Sequence, residues 1–244
     1  AMKTAIESHR RNQPHSMGTL VWQLSDVWPG ISWSSVDYLG NWKALHYAQK
    51  RLYENTLISF FETTDRTLQI YIVNDALKDI KGTLTAELVD FDGNILYRTS
   101  IDATVAERSS SNVLDLSIDE LEAAASNLSL QSMTYVKAMF TASSQETQTQ
   151  NSYFFARPVA LNLKKPDIQM QISKARSGSK AVITLTSNTL ALDVSLFNDG
   201  VEGRFSDNFF DLRPNEVKKV DCYNLTPEEL QNLKIISQYD ASNS

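Results

Sequence analysis

The tryptophans of this chain are confined to one short stretch. All four lie between Trp22 and Trp42, within 21 of the 244 residues. Thr19–Leu24 is a short apolar, β-prone run, and Ser25–Tyr38 contains a proline, a glycine and several serines. These patterns predict a buried strand followed by a loop. From Asn41 onward apolar residues recur at helical spacing, so a helix is expected after the loop.

A second helix is expected upstream, over Ala1–Arg11, which gives the order helix, strand, aromatic loop, helix. That order is a piece of a βα-repeat fold, in which loops at the carboxyl ends of strands form the binding sites. Tryptophan faces suit the apolar faces of sugar rings. The alternative is that the tryptophans are core residues, since large aromatic side chains are usually buried. Trp42 is expected in the core, whereas Trp22, Trp28 and Trp33 fit either interpretation.

The chain changes character after Tyr53, where short β-like runs separated by turn residues begin. Asp92-Gly93 is a hairpin-turn signal, and Ile118–Ala125 is expected to form a short connecting helix. About seven strands in roughly a hundred residues are typical of an immunoglobulin-like sandwich. The predicted strands are Leu57–Glu62, Leu68–Asn74, Gly82–Val89, Ile95–Val105, Val113–Leu116, Thr134–Thr141 and Ser152–Ala156.

A second, smaller sandwich is predicted after a linker near Arg157-Pro158. Thr226 followed by Pro227 and two acidic residues is the start signal of a short helix within it. The predicted strands are Ile168–Ile172, Ala181–Ser187, Asp193–Phe197, Phe209–Leu212, Val217–Asp221 and Leu233–Tyr239.

The composition argues against two classes of partner. The net charge is −6, with 23 basic and 29 acidic residues. Because no basic stripe accompanies this charge, nucleic acid is not expected as a partner. No apolar run reaches the length of a membrane span, so no membrane partner is expected. Cys222 is the only cysteine, which excludes a disulfide within the chain.

Several stretches together resemble one enzyme family. Gly18–Pro29, Ser32–Asp37 and Trp42–Tyr47 look like the last strand and helix of the catalytic barrel in glycoside hydrolase family 2 β-mannosidases. Ala5–Arg11 resembles the helix before that strand. Phe205–Leu212 resembles the C-terminal immunoglobulin-like domain of the same enzymes. Within the motif, Ser25 replaces an expected asparagine.

The resemblance implies a mainly β chain, with two immunoglobulin-like β-sandwich domains preceded by a helix-strand-helix remnant of a (β/α)8 barrel. The expected domains are residues 1–55, 56–158 and 159–244. The implied function is that of the C-terminal part of a retaining exo-β-mannosidase, which removes terminal β-D-mannose from a β-mannoside substrate. A stand-alone carbohydrate-binding module and a purely structural sandwich pair are the alternatives.

The catalytic carboxylates of such an enzyme are not expected in this chain. Retaining glycosidases use two carboxylates about 5 to 5.5 Å apart, and the family carries them as glutamates on earlier barrel strands. Asn215-Glu216 matches an Asn-Glu pair but lies in the second sandwich, where a turn glutamate is the simpler interpretation. Glu7 and Glu54 lie at predicted helices and are expected to be solvated.

The resemblance places one wall of the active site in this chain. It implies that Trp22, Asp26 and Trp33 contact the sugar, whereas Trp28 is expected to pack within the protein. For Asp26, a loop-capping role is an equally good interpretation. The histidines show no metal-ligand spacing, so neither a metal nor a cofactor is expected.

Residues 1–55 cannot close a barrel by themselves, because a lone strand leaves unpaired edges and an exposed apolar face. They are therefore expected to dock on the first sandwich or on a second copy of the chain. The second alternative would make a homo-oligomer. By resemblance alone, a periplasmic or extracellular location is favoured.

Overall fold

The computed structural model describes residues 1–144, 147–174, 180–198 and 204–242. Its contacts divide the chain into two compact units. The first unit contains residues 1–20, 49–90 and 94–162, and the second contains residues 21–48, 91–93 and 163–244. Each unit is built around a β-sandwich.

Helices occupy short stretches between and beside the strands. α1 lies at the start of the sequence, α2 follows the tryptophan-rich stretch, and the others lie within or after the sandwiches; a 3₁₀ turn covers Pro158–Ala160. The helices are α1 (Met2–Arg11), α2 (Ala44–Leu52), α3 (Ile118–Ala125), α4 (Leu130–Met133), α5 (Pro227–Gln231) and α6 (Gln238–Ser242).

Strands make up most of the regular structure. Those of the first sandwich are β1 (Thr56–Glu62), β2 (Thr67–Asn74), β3 (Ile80–Asp90), β4 (Ile95–Val105), β5 (Ser109–Ser117), β6 (Thr134–Ala142) and β7 (Gln148–Tyr153). Those of the second are β8 (Ile168–Lys174), β9 (Lys180–Ser187), β10 (Ala191–Phe197), β11 (Arg204–Phe205), β12 (Phe210–Leu212), β13 (Lys218–Tyr223) and β14 (Lys234–Ile236).

The first sandwich consists of sheets with strand orders β1-β2-β5 and β4-β3-β6-β7. Alternate side chains of β3 and β6 point inward, among them Leu84, Leu88 and Phe140, and pack against Ile70 and Ile72 of β2. Alternation with period two places one face of each strand in the core. The β3–β4 hairpin and α3 form where the sequence predicts them.

The second sandwich has sheets with strand orders β12-β10-β14 and β11-β13-β9-β8. Its core contains Ile183, Val194 and Val220, and the thiol of Cys222 is buried among them. Thr226 caps α5 as predicted, because its hydroxyl accepts a hydrogen bond from the Glu229 amide at 3.2 Å. The prediction of a mainly β fold with two immunoglobulin-like sandwiches is confirmed.

Helix α1 packs on the first sandwich. The guanidinium of Arg11 donates to the Ser59 hydroxyl at 2.7 Å and to the Phe60 carbonyl at 2.9 Å. The expectation that Glu7 is solvated is wrong, because its carboxylate is buried and accepts a hydrogen bond from Asn151 at 2.8 Å. Burial raises the pKa of Glu7, against the opposing effects of Lys3 and Asn151.

The predicted strand over Thr19–Leu24 is absent from the structure. A strand needs a neighbour to complete its hydrogen bonds, and no strand pairs with this run among the described residues. Its apolar side chains, including Leu20 and Leu24, are exposed. The residue pattern is that of a buried strand, but the described residues provide no strand that pairs with it.

Some boundaries at the ends of the sandwiches also differ from the prediction. The run Leu233–Tyr239 is divided between β14 and α6, and between them the Ser237 amide and hydroxyl donate to the Asp240 carboxylate at 2.9 and 2.7 Å. Strand β7 begins at Gln148 and ends at Tyr153, so it overlaps the predicted Ser152–Ala156 only at its end. The two-residue strand β11 has no pattern long enough to predict it.

Gly82 of β3 tests how closely the first sandwich is packed. A Cβ atom at this position would lie 2.2 Å from the Thr141 carbonyl oxygen and 2.8 Å from the Ala142 Cα. We expect Gly82→Ala to lower the free energy of unfolding by about 1–3 kcal/mol, because the backbone of β6 cannot give way without losing ladder hydrogen bonds. Urea unfolding followed by circular dichroism measures the change.

Gly30→Ala is the matched control, since a Cβ there meets nothing closer than Trp28 Cδ1 at 3.7 Å. If the two variants unfolded at the same urea concentration, the close approach of β3 and β6 would not matter for stability.

Candidate functional site: the aromatic loop

The tryptophans lie on a loop, Val21–Lys43, that folds back on itself and is called here the aromatic loop. The Asp26 amide donates to the Val36 carbonyl at 3.1 Å, and the Val36 amide donates to the Leu24 carbonyl at 2.8 Å. Ser25 and Val36 form a parallel bridge, and Val36 and Trp42 form an antiparallel one. The bridges Ser25–Val36 and Val36–Trp42 lie in and just after the stretch predicted to be a loop, next to the run where the sequence predicts a strand.

A polar cluster fastens the middle of this loop to its end. The Lys43 ammonium donates to the Asp26 carboxylate at 3.0 Å and to the Ser34 hydroxyl at 2.8 Å. The Ser32 hydroxyl donates to the other oxygen of the Asp26 carboxylate. The predicted site residue Asp26 is therefore bonded to side chains within the loop.

The electrostatic environment of Asp26 favours its charged form. Hydrogen bonds from Ser32 and Ser34 lower the pKa of the Asp26 carboxyl below its usual range, and Lys43 lowers it further. The side chain itself is almost completely covered. A buried carboxylate with several donors is held as the anion at neutral pH.

The tryptophans predicted to contact sugar are exposed. Trp22 is 75% exposed and Trp33 is 68% exposed, while Trp28, expected to pack, is 72% exposed. The Trp22–Gln23 peptide is cis. Apolar residues of the same loop, Val27 and Ile31 among them, are exposed as well. Concentrated apolar exposure is typical of a surface that another molecule or another part of a protein covers.

Trp42 lies at the other end of the loop, and His46 follows it on α2. The Trp42 ring is half-buried against the second sandwich, as predicted, and lies 4.4 Å from the His46 ring. His46 Nδ1 and the Ser35 hydroxyl are hydrogen-bonded at 3.2 Å. Burial lowers the pKa of His46. In this environment the imidazole is a neutral packing residue.

The remaining glutamates have local explanations. Glu216 lies 3.4 Å from Arg213 within the turn that joins β12 to β13, so the turn interpretation of Asn215-Glu216 fits its surroundings. Glu54 is exposed just after α2. Within the described residues, no cluster of three or more His, Cys, Asp or Glu side chains could hold a metal ion. No helix in the described part of the chain is long and apolar enough to cross a bilayer.

Sequence reasoning missed Lys43, Ser32 and Ser34 as partners of Asp26. The sequence separation of 17 residues between Asp26 and Lys43 carries no signal, because the contact depends on how the loop closes. A lysine at the start of the helix that follows an aspartate-containing loop could at most have suggested an ion pair.

Comparison with known proteins supports the resemblance. A Mannosidase Ig/CBM-like domain is recognised over residues 66–158, and an Ig-fold domain of the mannosidase type over residues 163–241. The chain is similar to β-mannosidase A of Aspergillus fumigatus, with 26% identity over 98% of this chain and 27% of that protein. It is 29% identical to β-mannosidase A of Emericella nidulans over 89% of this chain and 24% of that protein.

Solved structures show the same fold. The β-D-mannosidase of Dictyoglomus thermophilum matches with a TM-score of 0.81 at 24% identity, over 97% of this chain and 28% of that one. The exo-chitosanase of Amycolatopsis orientalis matches with a TM-score of 0.69 at 17% identity, over 96% of this chain and 32% of that one.

The chain therefore carries the immunoglobulin-like domains of the mannosidase type. The predicted resemblance to the C-terminal part of a glycoside hydrolase family 2 β-mannosidase is confirmed, and the chain spans about a quarter of the length of the curated relatives it matches.

The lowered pKa of Asp26 predicts how the loop responds to acid. Because the native pKa lies below that of an unfolded aspartate, about 3.9, the charged carboxylate stabilises the loop above that pH. This stabilisation is lost as the pH falls through the lower native pKa. All four tryptophans lie on the loop, so fluorescence between neutral and acid pH reports the change.

We expect the native chain to show an acid-induced shift of tryptophan emission. Asp26→Asn should show the shifted emission already at neutral pH and lack the transition. Asp221→Asn, which removes the 2.8 Å ion pair with Lys180 on β9, is the control and should behave like the native chain. Identical acid transitions in the native chain and in Asp26→Asn would contradict the assignment.

Proposed function

We propose that the chain is the C-terminal part of a retaining exo-β-mannosidase that hydrolyses terminal non-reducing β-D-mannose residues. The observation that supports this most directly is the aromatic loop, where tryptophans are exposed on a backbone fixed by internal hydrogen bonds. A rigid aromatic surface binds a sugar ring at little cost in conformational entropy.

In this proposal Trp22, Asp26 and Trp33 have different roles. Trp22 and Trp33 supply the apolar surface on which the sugar stacks. Asp26 borders the subsite and fixes the loop, because Ser32 and Lys43 already occupy its oxygens. The wall orients the sugar for a reaction carried out by two carboxylates.

The catalytic glutamates belong to a part of the enzyme outside this chain. The similarity covers about a quarter of the β-mannosidases, which leaves ample length for the rest of a barrel. The apolar surface of the loop would then be covered partly by that barrel and partly by substrate. A homo-oligomer formed through residues 1–55 would be a further way to cover apolar surface.

A carbohydrate-binding module is the second candidate, since the same exposed tryptophans could bind a glycan without catalysis. Titration of this chain with mannobiose, followed by tryptophan fluorescence, tests that candidate. A saturable emission change at millimolar or lower concentration would favour binding by the chain alone, whereas no change is expected if the subsite needs the rest of the barrel.

The gene product that contains this chain should hydrolyse p-nitrophenyl β-D-mannopyranoside, and this chain alone should not. In that product we expect Trp22→Ala to lower kcat/KM by about tenfold or more, because one stacking surface of the subsite is lost. Initial rates over a range of substrate concentrations measure the effect.

Trp28→Ala is the matched control, as it removes the same side chain, equally exposed, from the same loop. It should change kcat/KM much less. Equal losses in both variants would mean that the loop acts through stability, and a native product without activity on β-mannosides would refute the proposed function.

A further inference from the structure

The start of helix α2 is built into the core of the second sandwich. Tyr47 is only 3% exposed and belongs to the same buried cluster as Ile183, Phe205 and Val220. Its ring lies 6.0 Å from that of Phe209 and 5.5 Å from that of Trp42. Burial raises the pKa of its hydroxyl to about 12. The sandwich therefore holds the helix by a large aromatic side chain that remains neutral.

Phe209, the residue of the second sandwich that contacts the Tyr47 ring, is held in a defined conformation. Phe209 has a φ angle of 52°, an uncommon conformation for a bulky side chain. It is fixed by the neighbouring Asn208, whose side-chain oxygen accepts from the Phe209 amide at 3.0 Å and from the Leu196 amide at 2.8 Å. Unfavourable backbone conformations persist where surrounding contacts determine them, so the ring of Phe209 has a defined place.

The same helix start is bonded to the aromatic loop. Lys43, the last residue of the loop, lies one turn before Tyr47. It pairs with Asp26, and its amide donates to the Ser35 carbonyl at 2.9 Å. His46, beside Tyr47, is hydrogen-bonded to the Ser35 hydroxyl. A continuous set of contacts therefore runs from β10 through Asn208 and Phe209 to Tyr47, and from there to both halves of the loop.

We propose that the second sandwich holds the aromatic loop, the proposed sugar-binding wall, in position, with Tyr47 as the positioning residue. Its importance for catalysis depends on the function proposed above, whereas the mechanical link does not. Loosening Tyr47 frees the start of α2, and with it Lys43 and His46, so the loop loses the bonds that fix Trp22 and Trp33. The second sandwich then determines whether the sugar subsite has the conformation that binds substrate.

Amide hydrogen exchange of this chain tests the mechanical link without any substrate. Tyr47→Leu should speed exchange of the Ser35 and Val36 amides, which are bonded within the loop, by about tenfold or more while β9 and β13 stay protected. Tyr47→Phe keeps the ring and should restore slow exchange.

Tyr135→Leu is the matched control. Tyr135 is 1% exposed and stacks on Phe154 at 5.4 Å in the first sandwich, so its loss creates a similar defect elsewhere. It should leave exchange in the loop unchanged. If Tyr47→Leu also exposes β9 and β13, His46→Leu, which removes the hydrogen bond between α2 and the Ser35 hydroxyl and leaves Tyr47 in place, replaces it with the same expected result. Unchanged loop exchange in the variant tested would overturn the proposal.

Kinetics of the longer gene product then separate the two proposals. Tyr47→Leu should lower kcat/KM for the β-mannoside, Tyr47→Phe should recover most of it, and Tyr135→Leu should retain native values. A native enzyme inactive on β-mannosides but with faster loop exchange in Tyr47→Leu would refute the function and keep the mechanical link. Full activity in Tyr47→Leu with unchanged exchange would refute the link alone.

Discussion

Burial of inward-facing side chains between two sheets is the constraint on which the rest of this structure depends. In each sandwich the strands present alternate residues to a common core, and that core is where the flanking helices attach. The hydrophobic effect makes such attachment favourable wherever an apolar helix face meets the core. Helix α3 uses it with Leu121, and α2 uses it with Tyr47.

The aromatic loop follows a different principle. Among the described residues no sheet includes this loop, so side-chain hydrogen bonds hold its backbone in place of bonds to neighbouring strands. The Asp26–Lys43 pair and the serines near it close the loop from inside and leave the large apolar residues outside. An apolar exterior on a polar, internally bonded loop is suited to a surface that completes a binding site together with other parts of a protein.

Local patterns in the sequence were enough to predict most of the sandwiches. Alternation over Ile95–Val105, the Asp92-Gly93 turn and the Thr226 cap each specify their own structure, because the interactions involved are close in sequence. Local sequence could not decide whether Thr19–Leu24 forms a strand, because a strand also needs a neighbouring strand to complete its hydrogen bonds. The partners of Asp26 and the burial of Glu7 depend on contacts across 17 and 144 residues, which no local pattern encodes.

The lone cysteine of the second sandwich has a practical consequence. Cys222 is buried, and burial raises its pKa to about 11, so at neutral pH the sulfur is both protonated and out of reach of reagents. The folded chain therefore does not react with thiol-directed reagents. A cysteine introduced at an exposed position of the loop, such as Ile31, would be the one reactive thiol, and a spectroscopic label could be placed there without first removing the native residue.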